Sequence, residues 1–320
     1  MRFLAGARPT GSLHVGHYYG MLDSLVRQAD DKNSELFFVV ADLHMFTTNA
    51  ARSSTDVIQD RILNLVADCV SVGLDPDRCT FYVQSDVPSQ ARLYAIIQSL
   101  VRVRALRDQT SFKAMLGDRA IEDAALGLLG YPVLEAADVI GLGATDVAVG
   151  DQNVDHVTIA REVVAELGQE FGLHLTAPTA VFRETRDLIG LDGANKMSKS
   201  LGNAIELSAT SEDVAKAVDA MAYRRSDGQL LAPALLDVIG SPESAAEVRV
   251  GLESGTLSWN AARDLVTRAF EAFLEPIRAR RTAWEPDHLR DVLRAGAQRA
   301  EALTGATVEQ VREALHFGVR

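Results

Sequence analysis

Residues 2–20 read RFLAGARPTGSLHVGHYYG, and this stretch gives the first indication of the fold. The short run at residues 2–5 has the pattern of a buried strand, and it leads into a loop that contains several glycines and then into a helical pattern. Glycine lets the backbone approach a ligand closely, and the N-terminus of a helix attracts an anion. His14 and His17 flank Gly16, so both imidazoles could reach one phosphate chain. A turn whose histidines cap a helix would carry the same pattern, and both interpretations stay open at this point.

Three further short runs have the composition of buried strands. Residues 35–41 (ELFFVVA), 79–84 (CTFYVQ) and 146–149 (DVAV) are rich in valine and aromatic residues and are bounded by polar residues or glycine. The segments between them show apolar residues at helical spacing, as in residues 58–69. This alternation predicts an α/β fold, a Rossmann-type parallel sheet covered by helices, in which ligands bind beyond the carboxyl ends of the strands.

The strand signals stop near residue 208, and the rest of the chain shows only helical spacing. We therefore expect a Rossmann-type catalytic domain over residues 1–207 and an all-helical C-terminal domain over residues 208–320. The loop at residues 190–202, which is rich in glycine, asparagine, serine and lysine, lies near the junction.

Charge and cysteine content narrow the class of protein. Across 320 residues, 44 acidic side chains face 32 basic ones, and the net charge of −12 disfavours unspecific binding to nucleic acid without excluding a local basic surface. Cys69 and Cys79 form no zinc-binding or disulfide pattern, so we expect no metal site held by the protein. The sequence has neither an apolar signal segment nor a long apolar run, and we expect a cytoplasmic protein that makes no contact with a membrane.

A second motif, Lys-Met-Ser-Lys-Ser, occupies residues 196–200. Alone, a pair of lysines at this spacing is usually a solvated surface feature. Together with the H-x-G-H motif and in this order, it makes the sequence resemble the class I aminoacyl-tRNA synthetases, which carry HIGH-type and KMSKS motifs. Two of the five lysines of the chain lie in this motif.

Within that class the whole chain resembles the tryptophanyl-tRNA synthetases. The match includes residues 6–20, the Asp-Leu-His at 42–44, the Gln-Ser-Asp-Val-Pro at 84–88, residues 131–134 and 136–138, and the Val-Gly-Asp-Gln at 149–152. The resemblance implies activation of L-tryptophan with ATP and Mg²⁺, followed by transfer to tRNA(Trp). It also implies a homodimer and a role for residues 208–320 in binding the tRNA anticodon.

The resemblance assigns the chemistry to both motifs. In such a reaction a carboxylate attacks the α-phosphate of ATP, and catalysis depends on positioning and on stabilising negative charge. His14, His17, Lys196 and Lys199 are the expected catalytic residues. The expected ATP-binding residues are Arg8, Pro9, Thr10, Gly16, His17, Gly150, Asp151, Gln152, Leu188, Lys196, Met197, Ser198, Lys199 and Ser200.

Asp138 is the residue that we expect to recognise the side chain of the amino-acid substrate. The indole nitrogen only donates a hydrogen bond, so a site that recognises it needs an acceptor such as a carboxylate. The expected substrate-binding residues are Gly6, His44, Tyr131, Asp138, Val147, Val149 and Asn153.

Three positions depart from the pattern of the family. Asn153 stands where glutamine is usual, Glu135 where methionine is common, and Leu4 where phenylalanine is frequent. These departures suggest a divergent or auxiliary copy that acts on a substituted tryptophan. The sequence also leaves open a tyrosyl-tRNA synthetase, another nucleotidyltransferase with an H-x-G-H motif, and a non-catalytic binding protein.

Two segments are candidates for macromolecular contacts. The apolar residues 93–106 form either the dimer surface or a helix buried in the monomer. In the C-terminal part, a group of arginines near Trp284 could contact the tRNA or form an ordinary solvated helix face. These arginines are Arg278, Arg280, Arg281, Arg290, Arg294 and Arg299.

Overall fold

The computed structural model describes residues 1–47, 55–149, 154–182 and 188–318. In these ranges five parallel strands form one sheet in the order β3-β2-β1-β4-β5. The first strand lies in the middle, and the chain progresses outward on either side of it, so the topological switch point lies between β1 and β4. The strands are β1 (Arg2–Ala7), β2 (Glu35–Val40), β3 (Cys79–Val83), β4 (Asp146–Val149) and β5 (Thr179–Phe182).

The predicted α/β class with a parallel sheet is confirmed. All four expected strands are present within a few residues of their predicted bounds. The sequence did not identify β5, a four-residue strand at the edge of the sheet.

Helices surround the sheet and make up most of the remaining chain. None of those in the described ranges has the length and apolar character that a membrane crossing requires. The helices are α1 (Val15–His17), which continues as a π-helix (Tyr18–Leu22), α2 (Asp23–Asp30), α3 (Ile58–Ser71), α4 (Pro88–Ile97), α5 (Val103–Arg107), α6 (Thr110–Leu116), α7 (Leu126–Leu142), α8 (Val154–Phe171), α9 (Ser211–Asp219), α10 (Leu231–Ile239), α11 (Pro242–Ser254), α12 (Trp259–Arg281) and α13 (Pro286–Ala314).

Side chains of the central strands alternate between two apolar cores, one on each face of the sheet. Phe3 and Phe38 pack in the first core, whereas Leu4 and Phe37 pack in the second. This alternation follows from the two-residue period of a strand. Both faces are covered, as a parallel sheet with crossover helices requires.

The all-helical character of the C-terminal part is confirmed for residues 208–318. The last helix, α13, returns to the sheet and packs against β3, α4 and α7. The Glu301 carboxylate accepts hydrogen bonds from the backbone N–H and hydroxyl of Ser89, and the Thr307 hydroxyl donates to the Gly141 carbonyl. The boundary at residues 207 and 208 stays a prediction, since the helical part shares both apolar cores with the sheet.

The apolar segment 93–106 is not one helix. Helix α4 ends at Ile97, a 3-10 turn covers Gln98–Leu100, and α5 begins at Val103. Leu93 and Leu106 are buried in the monomer, which accounts for part of the apolar character of the segment. Val103 is 62% exposed and is not explained by packing within the chain.

Candidate active site

A cavity of about 420 Å³ lies at the carboxyl ends of β1 and β4, at the switch point of the sheet. Residues 4–8 line one side, and Val147 lines another. A Cβ atom on Gly6 would lie 2.3 Å from Cγ1 of Val39, so only glycine allows β1 to pass β2 at this height. The cavity has the size and position of a small-molecule site.

Asp138 on α7 supplies a buried carboxylate to this cavity. Its side chain is 2% exposed, and its Oδ2 accepts a hydrogen bond of 2.7 Å from Nε2 of Gln84. Oε1 of Gln84 in turn lies 3.0 Å from Nδ1 of His44. Burial raises the pKa of the Asp138 carboxyl well above its usual range, and the hydrogen bond from Gln84 opposes that shift.

The second oxygen of Asp138, Oδ1, is buried and has no hydrogen-bond partner among the described residues. A buried acceptor without a donor costs free energy, about 1–3 kcal/mol, that a ligand can recover. The carboxylate is therefore arranged to accept a hydrogen bond from a group inside the cavity.

A second polar network lines the same cavity. The Tyr131 hydroxyl donates to Oγ of Ser111 at 2.6 Å, and both oxygens lie within 3.0 Å of Nε2 of His156. Nδ1 of His156 lies 2.7 Å from Oε2 of Glu135. Burial acts to raise the pKa of Glu135, but the hydrogen bond and charge of His156 hold it below its ordinary value. Glu135 thus has a buried partner within the chain.

His14 and His17 lie at the start of the helix that follows β1, the strand whose carboxyl end helps to line the cavity. Their rings stack with centroids 3.6 Å apart. Burial, His17 and Lys199 lower the pKa of His14 to about 3, while burial and Lys196 lower the pKa of His17 to about 4. Both imidazoles are therefore neutral near pH 7.

The backbone sets the orientation of the second ring. The N–H of His14 donates to Nδ1 of His17 at 3.1 Å, so Nδ1 is the unprotonated nitrogen and Nε2 carries the proton. Nδ1 of His14 is buried without a partner in the described part of the chain. The pair can thus offer a neutral N–H donor to an anion without adding positive charge.

The loop that carries the second motif is docked against these histidines. Met197 is buried, and a Cβ atom on Gly16 would lie 3.0 Å from its Cβ, so only glycine permits this contact without displacement. The Met197 N–H donates to the carbonyl of Leu188 at 2.8 Å, and the Ser198 N–H donates to Oδ1 of the buried Asn203 at 2.7 Å. These bonds hold the backbone of the loop in place, and the side chains of Lys196 and Lys199 are exposed.

A short antiparallel contact joins the first motif, through backbone hydrogen bonds, to the segment that follows the second motif. The Val15 N–H donates to the Ile205 carbonyl and the Leu207 N–H to the Leu13 carbonyl, each at 2.9 Å. Glu206 consequently lies opposite His14. Oε1 of Glu206 forms an ion pair with Nζ of Lys199, which lies 2.8 Å away.

The Glu206→Gln substitution tests whether this ion pair competes with a bound anion. To contact a phosphate, Lys199 must break its ion pair with Glu206, and an exposed ion pair of this kind contributes little free energy. We expect the substitution to lower the dissociation constant for ATP by about two- to five-fold. Calorimetric titration with ATP measures the change, with Glu212→Gln as the control. An unchanged or weaker affinity would show that Glu206 does not restrain Lys199.

The structure brings the four expected catalytic residues together, and five of the seven expected substrate residues line the cavity. These five are Gly6, His44, Tyr131, Asp138 and Val147. Val149 is buried in the second core. Of the expected ATP residues, Arg8 lies at the cavity, Thr10 and Ser200 are exposed, and Pro9 and Leu188 are buried. Gly150, Asp151, Gln152 and Asn153 lie outside the described residues.

The sequence did not identify Ser111 and His156 as cavity residues. Ser111 belongs to α6, which carries no recognisable motif, and His156 is one of several polar residues at the start of α8. Only the folded arrangement places them beside Tyr131 and Glu135.

Comparison with known proteins decides the family. Residues 1–272 match the model of the family described as "tRNA synthetases class I (W and Y)". The chain belongs to this family. As a class I tRNA synthetase it combines the parallel sheet, the docked loop and the helical C-terminal part in one chain.

Full-length relatives and solved structures agree with this assignment. The chain is 36% identical to a tryptophan--tRNA ligase of Treponema pallidum, with 100% of this chain and 98% of the relative covered. It is 31% identical to a tryptophan--tRNA ligase of Chlamydia caviae, covering 99% and 96%. A crystal structure of tryptophanyl-tRNA synthetase from Campylobacter jejuni with ADP and tryptophan has the same fold, with a TM-score of 0.87, 24% identity and coverage of 99% and 100%.

Proposed function

We propose that this class I synthetase is a tryptophan--tRNA ligase, which forms tryptophanyl adenylate from L-tryptophan and ATP and transfers the amino acid to tRNA(Trp). The observation that carries the proposal is Oδ1 of Asp138, a buried oxygen without a partner among the described residues, on a side chain that lines the cavity. The full-length similarity to tryptophan--tRNA ligases favours this interpretation over a tyrosyl-tRNA synthetase, an enzyme for a substituted tryptophan or a non-catalytic binding protein.

The amino acid would occupy the cavity of about 420 Å³. Its indole N–H would donate to Oδ1 of Asp138, which Gln84 holds in place. His44, Tyr131 and Val147 would contact the rest of the side chain, since all three line the cavity. The carboxylate of the amino acid would then point toward the histidines, where the phosphates of ATP lie.

ATP is the second substrate. An oxygen of the tryptophan carboxylate attacks the α-phosphorus, the bond from this phosphorus to the bridging oxygen breaks, and pyrophosphate leaves. His14 and His17 donate to the phosphates, and Lys196 and Lys199 neutralise the charge that develops on the leaving group. No side chain becomes covalently attached.

Mg²⁺ is proposed to arrive with the phosphates of ATP. The described residues contain no group of three or more histidine, cysteine or acidic side chains that could hold a metal ion. The described residues therefore provide no preformed cage for the ion.

Transfer RNA is proposed to contact the helical C-terminal part. Arg278, Arg280 and Arg281 are engaged within the chain, whereas Arg290 and Arg294 are 53% and 66% exposed and pair only with aspartates on their own helix. Arginines in this situation can exchange an aspartate for a phosphate at little cost.

The double substitution Arg290→Gln with Arg294→Gln tests this surface. We expect a higher KM for tRNA(Trp) and a shallower dependence of that KM on salt, with the salt slope reduced by about one for each phosphate that is no longer neutralised. Pyrophosphate exchange without tRNA should stay unchanged. Arg78→Gln, at the opposite end of the sheet, is the control. An unaltered KM and salt slope would exclude these two arginines from the tRNA contact.

A homodimer and a cytoplasmic location complete the proposal. Val103 on α5 and Leu126 on α7 are 62% and 77% exposed, and their two helices contact each other. Exposed apolar side chains on two contacting helices support a partner copy at this face. Cys69 and Cys79 are buried free thiols, which fits a reducing compartment.

Aminoacylation tests the proposed function directly. The purified chain should attach radiolabelled tryptophan to tRNA(Trp) in the presence of ATP and Mg²⁺, and it should leave tRNA(Tyr) uncharged with tyrosine. Charging of tRNA(Tyr), or of neither tRNA, would contradict the proposal.

A further inference from the structure

A second buried carboxylate, Asp68 on α3, lies directly behind the H-x-G-H motif. Its side chain is 1% exposed. Its Oδ2 accepts a hydrogen bond of 2.9 Å from the backbone N–H of Leu13, the residue that precedes His14. Asp68 therefore holds the backbone of the loop one residue before the first imidazole, although it does not line the cavity described above.

The other oxygen of Asp68 binds the end of α12, in the helical C-terminal part. Oδ1 accepts a charge-assisted hydrogen bond from Arg281, whose guanidinium also donates to Oδ1 of Asn64 at 2.9 Å. The adjacent Arg280 donates through Nε to the carbonyl of Ser71. The last turn of α12 is thus anchored on α3, and the anchor includes the carboxylate that holds the loop.

Helix α12 also contacts the chain on the other side of the motif. The ring of Phe273 lies 4.9 Å from the ring of Tyr18 and 5.6 Å from that of Tyr19, centroid to centroid. Tyr18 and Tyr19 directly follow His17. One helix of the C-terminal part therefore contacts the motif after its second histidine and, through Asp68, before its first.

We propose that Asp68 is a positioning residue for amino-acid activation. It holds the backbone at Leu13 so that His14 faces the phosphates. Because Asp68 also forms an ion pair with Arg281, the position of this backbone depends on the position of α12. The proposal rests on the proposed function, because it assigns the two histidines to the phosphates of ATP. It adds a physical link between the helical part and the activation site.

The side chains allow a test with little change in volume. Asp68→Asn keeps an oxygen that can accept from Leu13 but removes the charge that Arg281 requires. Arg281→Gln removes the charge from the other partner, and Arg281→Lys keeps it. Asp60→Asn changes an exposed carboxylate on the same helix and serves as the control.

We expect Asp68→Asn and Arg281→Gln to lower kcat for tryptophan-dependent pyrophosphate exchange by roughly ten- to a hundred-fold, the size of effect that a small misplacement of reacting groups causes. The KM for tryptophan should stay within about two-fold of the original value, and the dissociation constant for ATP should rise. Arg281→Lys should recover most of kcat. If the ion pair were purely structural, breaking it would lower the melting temperature, and kcat measured below that temperature would stay unchanged.

Two readouts keep this test separate from the proposed function. If the unmodified chain shows no exchange with tryptophan, the proposed function fails, and ATP binding measured by calorimetry still decides the role of Asp68. If both variants kept the ATP affinity and the kcat of the unmodified chain, the positioning role would be overturned. If Asp68→Asn does not fold, Arg281→Gln decides the matter, since Arg281 is 23% exposed.

Discussion

The Lys199→Met substitution is expected to lower kcat for tryptophan-dependent pyrophosphate exchange by about 10²–10³-fold, the loss typical when one preorganised donor to a developing charge is removed. Nζ of Lys199 lies within 3.3 Å of the position of a Cβ on Gly11, beside the histidines, and its only ion pair in the described ranges is with Glu206. The ammonium is therefore free to move to the pyrophosphate as charge develops there.

Steady-state exchange with labelled pyrophosphate measures this loss. The KM for tryptophan should change little, because the lysine lies outside the amino-acid cavity. Lys216→Met, which alters an exposed lysine on α9, is the matched control. A kcat within two- to three-fold of the original value would remove Lys199 from the catalytic group.

The Asp138→Asn substitution is expected to have the second large effect. An asparagine has one oxygen and one amide nitrogen where aspartate has two oxygens. Whichever way the amide turns, either Gln84 or the indole N–H would face another donor. Leaving a buried donor unpaired costs about 1–3 kcal/mol, so kcat/KM for tryptophan should fall by about ten- to a hundred-fold.

The loss should appear in tryptophan binding and not in ATP binding. Calorimetric titration with each substrate separates the two, and Asp146→Asn, a carboxylate on β4 outside the cavity lining, is the control. Equal affinity for tryptophan in Asp138→Asn and the unmodified chain would mean that another group recognises the indole.

Local patterns were sufficient to predict the sheet, the helical C-terminal part and the two motifs. Strand–helix alternation predicts a parallel sheet, and the end of β2 places His44 near the cavity. Residues 196–200 indicate a phosphate-binding loop only in combination with the H-x-G-H motif at residues 14–17. In each case the signal is contained in a short stretch of sequence.

The remaining features depend on contacts between distant residues. Asp68 and Arg281 form an ion pair across most of the chain, and neither stands in a recognisable motif. Glu135 and His156 each look like a polar position on a helix surface until the fold brings them together. Periodicity reports which face of a helix is apolar, but it does not report which polar residues meet across the core.

Arginines of the C-terminal part illustrate the same limit. The sequence shows a basic group, and only the structure separates Arg281, which anchors α12, from Arg290 and Arg294, which stay exposed. The proposed tRNA contacts at Arg290 and Arg294 thus lie beside aspartates, on a chain with a net charge of −12. We expect tRNA binding to be correspondingly sensitive to salt.

The most direct test of the central claim is pyrophosphate exchange by the unmodified chain with tryptophan and with tyrosine. A cavity built around one buried acceptor for an indole N–H should favour tryptophan in kcat/KM by roughly a thousand-fold or more. Exchange with tyrosine at a similar kcat/KM, or no exchange with either amino acid, would contradict the claim that this cavity selects tryptophan for activation.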